Sequence, residues 1–184
     1  MSGNHGKKTV LLGVTGSIAA YKAADIARQL AKNGRSVITI MTRSAREFIT
    51  PLTFQTLTGN NVYTEVFEKF TSSVEHVSLS RQADLCLIAP ATANIIAKLA
   101  HGIADDMLST TALALGDTPV VVCPAMNTAM YDAPATQDNI ALLRERGVRL
   151  VEPKTAMLAC GDTGRGALAD VDAIVAEAER ILCG

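Results

Sequence analysis

A glycine-containing turn near the start of the chain has the residue types of an anion-binding site. Residues 13–18 read GVTGSI and end an apolar run that predicts a buried strand. A helix is predicted directly after them, and the first turn of a helix offers N–H groups and a positive dipole end to a phosphate. Gly16, Ser17 and Ile18 are therefore candidate phosphate ligands. A tight structural turn is the alternative, because the third glycine of a dinucleotide fingerprint and the Gly-Lys-Ser/Thr of a P-loop are both absent.

The residues after the second apolar run bear on which nucleotide would bind. A nicotinamide dinucleotide site usually has an acidic residue there, but this chain has Thr42, Arg43 and Ser44. The hydroxyls of Thr42 and Ser44 could donate to a terminal phosphate, which favours a mononucleotide such as FMN, whereas Arg43 leaves NADP open. Ser44 could also cap a short helix over residues 45–49.

Small residues and amides follow the next two apolar runs. Residues 89–94 read APATAN, and their small side chains would let a flat ring approach the backbone beside Thr92 and Asn94. Residues 123–130 read CPAMNTAM, in which Asn127 could bind a carboxylate through its amide and the two methionines could form an apolar wall. A helix cap and a structural turn predict the same residues, so both alternatives stay open.

One cysteine and one histidine stand in segments where they could react. Cys160 lies in residues 159–167, ACGDTGRGA, which are interpreted as a glycine-rich loop away from any strand. Such a loop could close over a ligand. His76 follows Glu75 in a short amphipathic stretch, where it could act as a base. An ordinary surface loop and a structural histidine are the competing interpretations. The separations between the four cysteines predict neither a disulfide nor a zinc site, and no metal is expected.

Alternating strands and helices would position these candidates. Five apolar runs predict strands, at residues 9–14, 36–41, 84–89, 118–123 and 148–151. Helices are predicted between and after them, at residues 18–33, 92–100, 105–115, 134–146 and 171–182. This alternation predicts an α/β fold, a Rossmann-like (flavodoxin-like) parallel sheet with helices on both faces, whose ligands bind at the carboxyl ends of the strands. Residues 48–79 fit the pattern less well and are interpreted as an insertion beside the sheet.

Composition and charge limit the classes of partner. Of the 184 residues, 48% are hydrophobic and 19% charged, which is typical of one folded domain over residues 1–184, with residues 1–8 as a disordered tail. The formal charge of -1 lacks the basic excess that binding to nucleic acid needs. No apolar run is long enough for a membrane helix and the polar start lacks a signal-peptide core, so a cytoplasmic protein without a membrane partner is expected.

Taken together, these segments resemble the homo-oligomeric flavin-containing cysteine decarboxylase family. The resemblance extends over residues 10–181. It rests on the order and spacing of GSIA at 16–19, the segment around His76, APATAN at 89–94, PAMNTAM at 124–130 and ACGD at 159–162. Each motif is common by itself, whereas the set in this order is specific.

The resemblance implies FMN as cofactor and gives each candidate a role. Contacts to the flavin phosphate and ribityl chain are implied for Gly16, Ser17, Ile18, Thr42 and Ser44. Contacts to the flavin ring are implied for Thr92, Ala93, Asn94 and Ala125. His76 would be the catalytic base, Asn127 would hold the substrate carboxylate, Met126 and Met130 would contact the substrate, and Cys160 would return a proton at the end. The implied assembly is a trimer, or a dodecamer of trimers, with the active site between subunits.

The implied reaction is the decarboxylation of a small molecule, phosphopantothenoylcysteine, to phosphopantetheine in coenzyme A biosynthesis. The flavin would first oxidise the cysteinyl thiol to a thioaldehyde. When CO2 leaves, the electron pair of the broken carbon–carbon bond could then pass to sulfur, and the reduced flavin would return the hydride to the product. Cys160 favours the saturated product, because relatives that stop at the enethiol lack this thiol. Residues 164–167 read GRGA rather than the Gly-x-Gly-Arg of many bifunctional relatives, which leaves the residue that meets the substrate phosphate open. The alternatives are a peptidyl-cysteine decarboxylase of lantibiotic-type peptides and a non-catalytic flavin-binding regulatory subunit; NADP-dependent reduction is more distant.

Overall fold

The structure, a computed structural model, describes residues 7–65, 75–157 and 163–183. At its centre is a six-stranded parallel sheet. Its strands are β1 (Thr9–Val14), β2 (Ser36–Met41), β3 (Val62–Tyr63), β4 (Leu85–Ala91), β5 (Val120–Pro124) and β6 (Arg149–Leu150). Two further strands form an antiparallel pair, β7 (Lys154–Met157) and β8 (Thr163–Ala167).

Helices connect the strands and cover both faces of the sheet, which confirms the predicted fold class. In chain order they are α1 (Ala20–Lys32), α2 (Pro51–Thr58), α3 (Glu75–Gln82), α4 (Ala93–His101), α5 (Met107–Leu113), α6 (Thr128–Asp132), α7 (Pro134–Glu145) and α8 (Val171–Cys183). A 3-10 helix, Arg43–Glu47, follows β2. Each of the five predicted helices is present within a few residues of its predicted bounds.

The side chains of β1 illustrate how one sheet creates two hydrophobic cores. Val10, Leu12 and Val14 belong to a cluster that includes residues of α1 and α8. Leu11 belongs to a second cluster, which includes residues of α4, α5 and α7. Successive side chains of a strand point to opposite faces, so a strand that is apolar at every position needs helices on both sides.

The strand order places a crevice beside β1. The order is β3-β2-β1-β4-β5-β6, which becomes the flavodoxin-like order when the two-residue edge strand β3 is left out. The chain builds β2 and β3 on one side of β1 and then crosses to the other side to form β4. The crevice outside the carboxyl ends of β1 and β4 is therefore the topological switch point, where ligands bind in sheets of this kind.

Two predictions about local structure were wrong. The described part of residues 48–79 is not an insertion beside the sheet, because β3 pairs in parallel with β2. A two-residue strand is too short to produce a recognisable period in the sequence. Residues 163–167 form a strand rather than part of a loop, and a Cβ at Gly164 would lie only 2.2 Å from Oγ1 of Thr128. The glycine at position 164 thus serves close packing, not flexibility.

Two cysteines and one histidine have structural roles. Cys86 and Cys123 are buried, one in each of the two cores. Burial raises the pKa of the Cys86 thiol to about 12 and also raises the pKa of Cys123, so neither is a thiolate at neutral pH. His101 ends α4, where its Nε2 lies 2.8 Å from Oδ1 of Asn139 on α7.

The described ranges contain neither a membrane-spanning helix nor a cluster of metal-ligating side chains. None of the helices there is both long enough and apolar enough to span a bilayer. In the same ranges, His, Cys, Asp and Glu side chains form no group of three or more that could hold a metal ion.

Candidate cofactor and substrate site

A cavity of about 530 Å³ opens at the switch point beside β1. Its volume lies in the range of roughly 300–1,000 Å³ that is typical of cofactor and small-molecule sites. The lining comes from the segments that follow β1, β4 and β5, from α1, and from the β7–β8 hairpin with the residue after it. The predicted site residues that line it are Gly16, Ser17, Ile18, Thr92, Ala125, Met126, Asn127 and Met130.

Gly16 allows the turn after β1 to approach the segment after β2. A Cβ on Gly16 would lie 2.4 Å from the Cβ of Ser44 and 3.1 Å from its backbone carbonyl carbon. Backbone atoms of a neighbouring segment cannot move aside as the end of a flexible side chain can, so glycine is required here. Ser44 itself is exposed and does not line the cavity, but it lies directly against the turn that does.

Thr42 rather than Ser44 caps the helix that follows β2. The Thr42 Oγ1 accepts a hydrogen bond from the Ala45 N–H at 3.3 Å. The alternative in which Ser44 caps a helix over residues 45–49 is therefore wrong, because the observed helix is Arg43–Glu47 and Ser44 lies inside it. Thr42 is half-buried and is not among the residues that line the cavity.

Thr15 joins the turn after β1 to the loop after β4, a role that the sequence analysis missed. Its side chain is buried, donates to the Pro90 carbonyl at 2.7 Å and accepts from the Thr92 N–H at 3.0 Å. The hydroxyl thus uses both its donor and its acceptor capacity on the backbone of one loop. The signal that could have revealed it is a lone hydroxyl between Gly13 and Gly16 at the end of an apolar strand.

The segment after β4 caps a helix and also contributes to the cavity lining. Thr92 lines the cavity and also caps α4, with its Oγ1 accepting from the Ile95 N–H at 3.4 Å. Ala93 and Asn94 occupy the first turn of α4 but are not among the lining residues. Ala93 is half-buried and Asn94 is exposed, so their contacts to a flavin stay predictions.

Asn127 is held in a defined orientation at the start of α6. Its Oδ1 accepts a hydrogen bond from the Ala129 N–H at 2.8 Å, which makes the amide nitrogen the donor end of the side chain. Met126 and Met130 line the cavity on either side of it in the sequence. The turn-stabilising role is thus present, and carboxylate binding by the amide of Asn127 stays a prediction.

The two predicted proton-transfer residues are not part of the described cavity. His76 lies half-buried in the first turn of α3 and does not line the cavity of its own chain. Cys160 falls in residues 158–162, which are outside the described residues. In the described ranges, one chain therefore brings together candidates for cofactor and carboxylate binding but not the predicted base.

Residues of α1 and of the hairpin also line the cavity and were missed from the sequence. Tyr21 and Met157 are 60% and 77% exposed at its rim. Lys22 is the one charged side chain among the described lining residues. Gly166 lies next to the methionine wall, since its carbonyl accepts from the Met126 N–H at 2.9 Å. The sequence signal for the lining face of α1 was the pair of large side chains, Tyr21 and Lys22, among its alanines.

The lining fits a ligand that has an anionic end and a flat apolar ring, as FMN has. The first turn of α1 contains no acidic residue that would repel an anion. Near that turn, the Ser17 Oγ accepts from the Ala19 N–H at 3.3 Å, which orders the backbone leading into the helix. Ile18, Met126 and Leu168 give the cavity its apolar surface.

Comparison with known proteins decides the family. A family model described as Flavoprotein matches residues 1–182. The chain belongs to the Flavoprotein family. Within this family, a probable phosphopantothenoylcysteine decarboxylase from Streptococcus mutans is 51% identical over 177 residues, which cover 95% of this chain and 99% of that protein. The coenzyme A biosynthesis bifunctional protein CoaBC from Bacillus subtilis is 48% identical over 174 residues, which cover 94% of this chain and 43% of that protein.

Solved structures agree with this family membership. A PPC decarboxylase with a cysteine-to-serine mutation, complexed with pantothenoylaminoethenethiol, matches with a TM-score of 0.89 and 31% identity, covering 97% of this flavoprotein and 100% of that chain. The FMN-dependent cysteine decarboxylase SpaF matches with a TM-score of 0.82 and 36% identity, covering 95% of this flavoprotein and 97% of that chain. The resemblance to flavin-containing cysteine decarboxylases is confirmed.

Proposed function

We propose that this flavoprotein is an FMN-dependent decarboxylase that converts phosphopantothenoylcysteine to phosphopantetheine in coenzyme A biosynthesis. The proposal is carried by one observation: a glycine turn suited to phosphate and an amide suited to a carboxylate line the same cavity. A decarboxylation of this type needs both the redox cofactor and the substrate carboxylate in one site. The 51% identical Streptococcus mutans relative carries the name of this activity, which supports the choice of substrate.

The proposed cofactor site is made of the segments after β1, β2, β4 and β5. We assign contacts to the phosphate and ribityl chain to Gly16, Ser17, Ile18, Thr42 and Ser44. We assign contacts to the ring to Thr92, Ala93, Asn94 and Ala125. When bound, FMN supplies a reversible two-electron oxidation of the substrate thiol, which makes loss of CO2 from the adjacent carbon possible.

The remaining roles belong to side chains of this protein. The Asn127 amide donates to the substrate carboxylate, while Met126 and Met130 contact the substrate and exclude water from it. The His76 imidazole accepts the proton of the substrate thiol. The Cys160 thiol donates a proton to the product carbon at the end of the reaction.

We propose that a second copy of the chain supplies His76 to each cavity, in a trimer or a dodecamer of trimers. This assignment is supported by the position of His76, which is not among the lining residues of its own cavity. It is also supported by the large apolar side chains at the cavity rim, since Tyr21, Met130 and Met157 are 60%, 50% and 77% exposed. The proposal places the enzyme in the cytoplasm.

The function is tested by offering the FMN-loaded protein two substrates, phosphopantothenoylcysteine and a peptide that ends in cysteine. We expect mass spectrometry to find phosphopantothenoylcysteine lighter by CO2 alone and the peptide unchanged. A product that has lost CO2 and two hydrogens, or turnover of the peptide only, would favour the peptidyl-cysteine activity. A protein that binds FMN but turns over neither substrate would favour the regulatory role.

Cys160→Ser is expected to change the product rather than the release of CO2. Serine is a much weaker acid than cysteine, so the final protonation should fail and the product should retain a carbon–carbon double bond, two hydrogens short of phosphopantetheine. Product mass and flavin absorbance report the outcome together. The matched control is Cys183→Ser, which changes an exposed thiol at the end of α8 and should give the saturated product. Normal product from Cys160→Ser would remove the assigned role.

Lys22→Met is expected to weaken recognition of the substrate phosphate. Lys22 carries the single charge among the described lining residues, and a partly exposed charge-assisted hydrogen bond corresponds to roughly a tenfold change in kcat/KM. The loss should appear with phosphopantothenoylcysteine and vanish with the unphosphorylated substrate. If the affinity for FMN falls instead while that for riboflavin does not, Lys22 binds the cofactor phosphate. Lys32→Met, at the exposed end of the same helix, is the control.

A further inference from the structure

We propose that Glu152 is a positioning residue that holds the β7–β8 hairpin against α6 and thereby fixes two walls of the cavity relative to each other. One wall carries Asn127 and the methionines of the segment leading into and through α6. The other wall is formed by β8 and the residue after it. The inference rests on the proposed function for its kinetic consequence, whereas its structural part can be tested on the protein without substrate.

The contact begins at Tyr131 on α6. The Tyr131 side chain is 1% exposed, and its hydroxyl donates to Oε2 of Glu152 at 3.0 Å. Its backbone N–H donates to the Asn127 carbonyl at 2.9 Å, so the same residue is tied directly to the predicted carboxylate ligand. Movement of the Tyr131 ring would therefore be transmitted to the helix turn that carries Asn127.

The second half of the contact comes from β8. The Arg165 guanidinium donates to the same Glu152 oxygen at 2.8 Å, and its central carbon lies 4.9 Å from the centre of the Tyr131 ring. Arg165 is thus bound to Tyr131 both through the carboxylate and by a cation–π contact. The other Glu152 oxygen pairs with Arg144 on α7. One carboxylate therefore connects β8, α6 and α7.

Glycine packing continues this contact towards the cavity. The Gly166 carbonyl accepts from the Met126 N–H at 2.9 Å, and a Cβ on Gly166 would lie 2.3 Å from the Met126 carbonyl oxygen. Gly164 packs equally closely on Thr128 at the start of α6. Glu152 lies at one end of the contact between β8 and α6, and the other end of this contact forms the cavity wall. Loss of the carboxylate therefore loosens the packing of β8 on α6 without removing any atom that lines the cavity.

The partial exposure of Glu152 favours a role in positioning over a role in stability. The Glu152 side chain is 44% exposed, and ion pairs at such positions contribute little to folding free energy. Partial burial opposes its charged form, but the hydrogen bond from Tyr131 and the two arginines together hold the pKa of Glu152 below its ordinary value. The carboxylate is thus charged at neutral pH and can organise three donors from separate elements.

The test compares Glu152→Ala with Glu152→Gln in the FMN-loaded enzyme. Alanine removes every contact, and we expect KM for phosphopantothenoylcysteine to rise about tenfold while kcat falls less than about threefold, since the substrate carboxylate loses its aligned partner. Glutamine keeps one acceptor oxygen, which can take the hydrogen bonds of both Tyr131 and Arg165, and loses only the oxygen that pairs with Arg144, so it should restore most of the affinity. In the protein without substrate, the amide hydrogens of β8 should exchange faster in the alanine variant than in the glutamine variant.

Glu177→Ala is the matched control, because Glu177 on α8 also pairs with two arginines and does not line the cavity. Its KM and its β8 exchange should equal those of the unmodified protein. The inference is overturned if Glu152→Ala leaves both KM and β8 exchange unchanged, or if glutamine gives no rescue. If the unmodified protein does not decarboxylate the substrate, the proposed function fails, while the exchange data still decide whether Glu152 holds the hairpin.

Discussion

His76→Asn is expected to lower kcat for decarboxylation by roughly 10²- to 10⁴-fold, which is the usual contribution of a positioned general base. Asparagine has a similar size and can still donate a hydrogen bond, but it cannot accept the proton of the substrate thiol. The variant should keep its FMN, because no contact to the cofactor is assigned to His76. Initial rates of product formation, together with the flavin absorbance of the purified variant, measure both parts of this prediction.

The control for this substitution is His101→Asn. His101 lies at the end of α4 in a structural contact with Asn139, so its loss should leave the rate of decarboxylation within a factor of about two. A rate for His76→Asn that equals the rate of the control would show that His76 is structural.

A mixture of two inactive variants tests whether His76 comes from a second copy. Asn127→Ala should also be inactive, because it removes the carboxylate donor. If each site takes Asn127 from one subunit and His76 from another, about one site in four has both residues intact in a random assembly of equal amounts of the two variants. Such mixed assemblies should recover about a quarter of the activity of the unmodified protein. Coexpression of the two variants, followed by rate measurements on the purified mixed assembly, gives the answer. Without recovery, both residues would have to serve the same site from one chain.

Gly16→Ala is expected to weaken FMN binding by roughly 10- to 100-fold, from the cost of about 1–3 kcal/mol for inserting a methyl group into a packed contact. The new Cβ would lie 2.4 Å from the Cβ of Ser44 and would also press on its backbone. The turn and the segment after β2 must separate, and both are assigned to the flavin phosphate. Titration of the apoprotein with FMN, followed by flavin fluorescence, measures the change in affinity.

A glycine at the opposite edge of the sheet provides the control. Gly34 follows α1 with a φ of 83°, and a Cβ built on it meets no atom within 4 Å. Asparagine tolerates this left-handed conformation better than most residues, so Gly34→Asn should bind FMN normally. If Gly16→Ala retains full FMN affinity and an unchanged melting temperature, the close contact with Ser44 does not shape the cofactor site.

The fold could be predicted from the sequence because its signals are local. A short run that is apolar at nearly every position is typical of a strand covered on both faces, as β1 is. Once the strands are parallel, their carboxyl ends share one edge, and the residues that follow them must lie close together. For this reason the sequence predicts that the turn at Gly16, the small-residue segment at Thr92 and the amide at Asn127 lie at one edge of the sheet.

The remaining features depend on contacts between distant segments. The strand β3 was missed because two residues show no period, and the hairpin was mistaken for a loop because its glycines serve close packing against α6. The bonds from Thr15 to the loop after β4 likewise leave no local pattern.

The sequence by itself determined which elements form and which residue types follow each strand, since backbone preference and apolar periodicity act over a few neighbours. Only the tertiary structure decided which of those residues share a cavity. It placed Ser44 against Gly16, joined Arg165 to Tyr131 through Glu152, and left His76 away from the cavity of its own chain. The physical reason is that steric exclusion and hydrogen bonding act between atoms brought together by the chain fold, at separations in sequence that no short motif can encode.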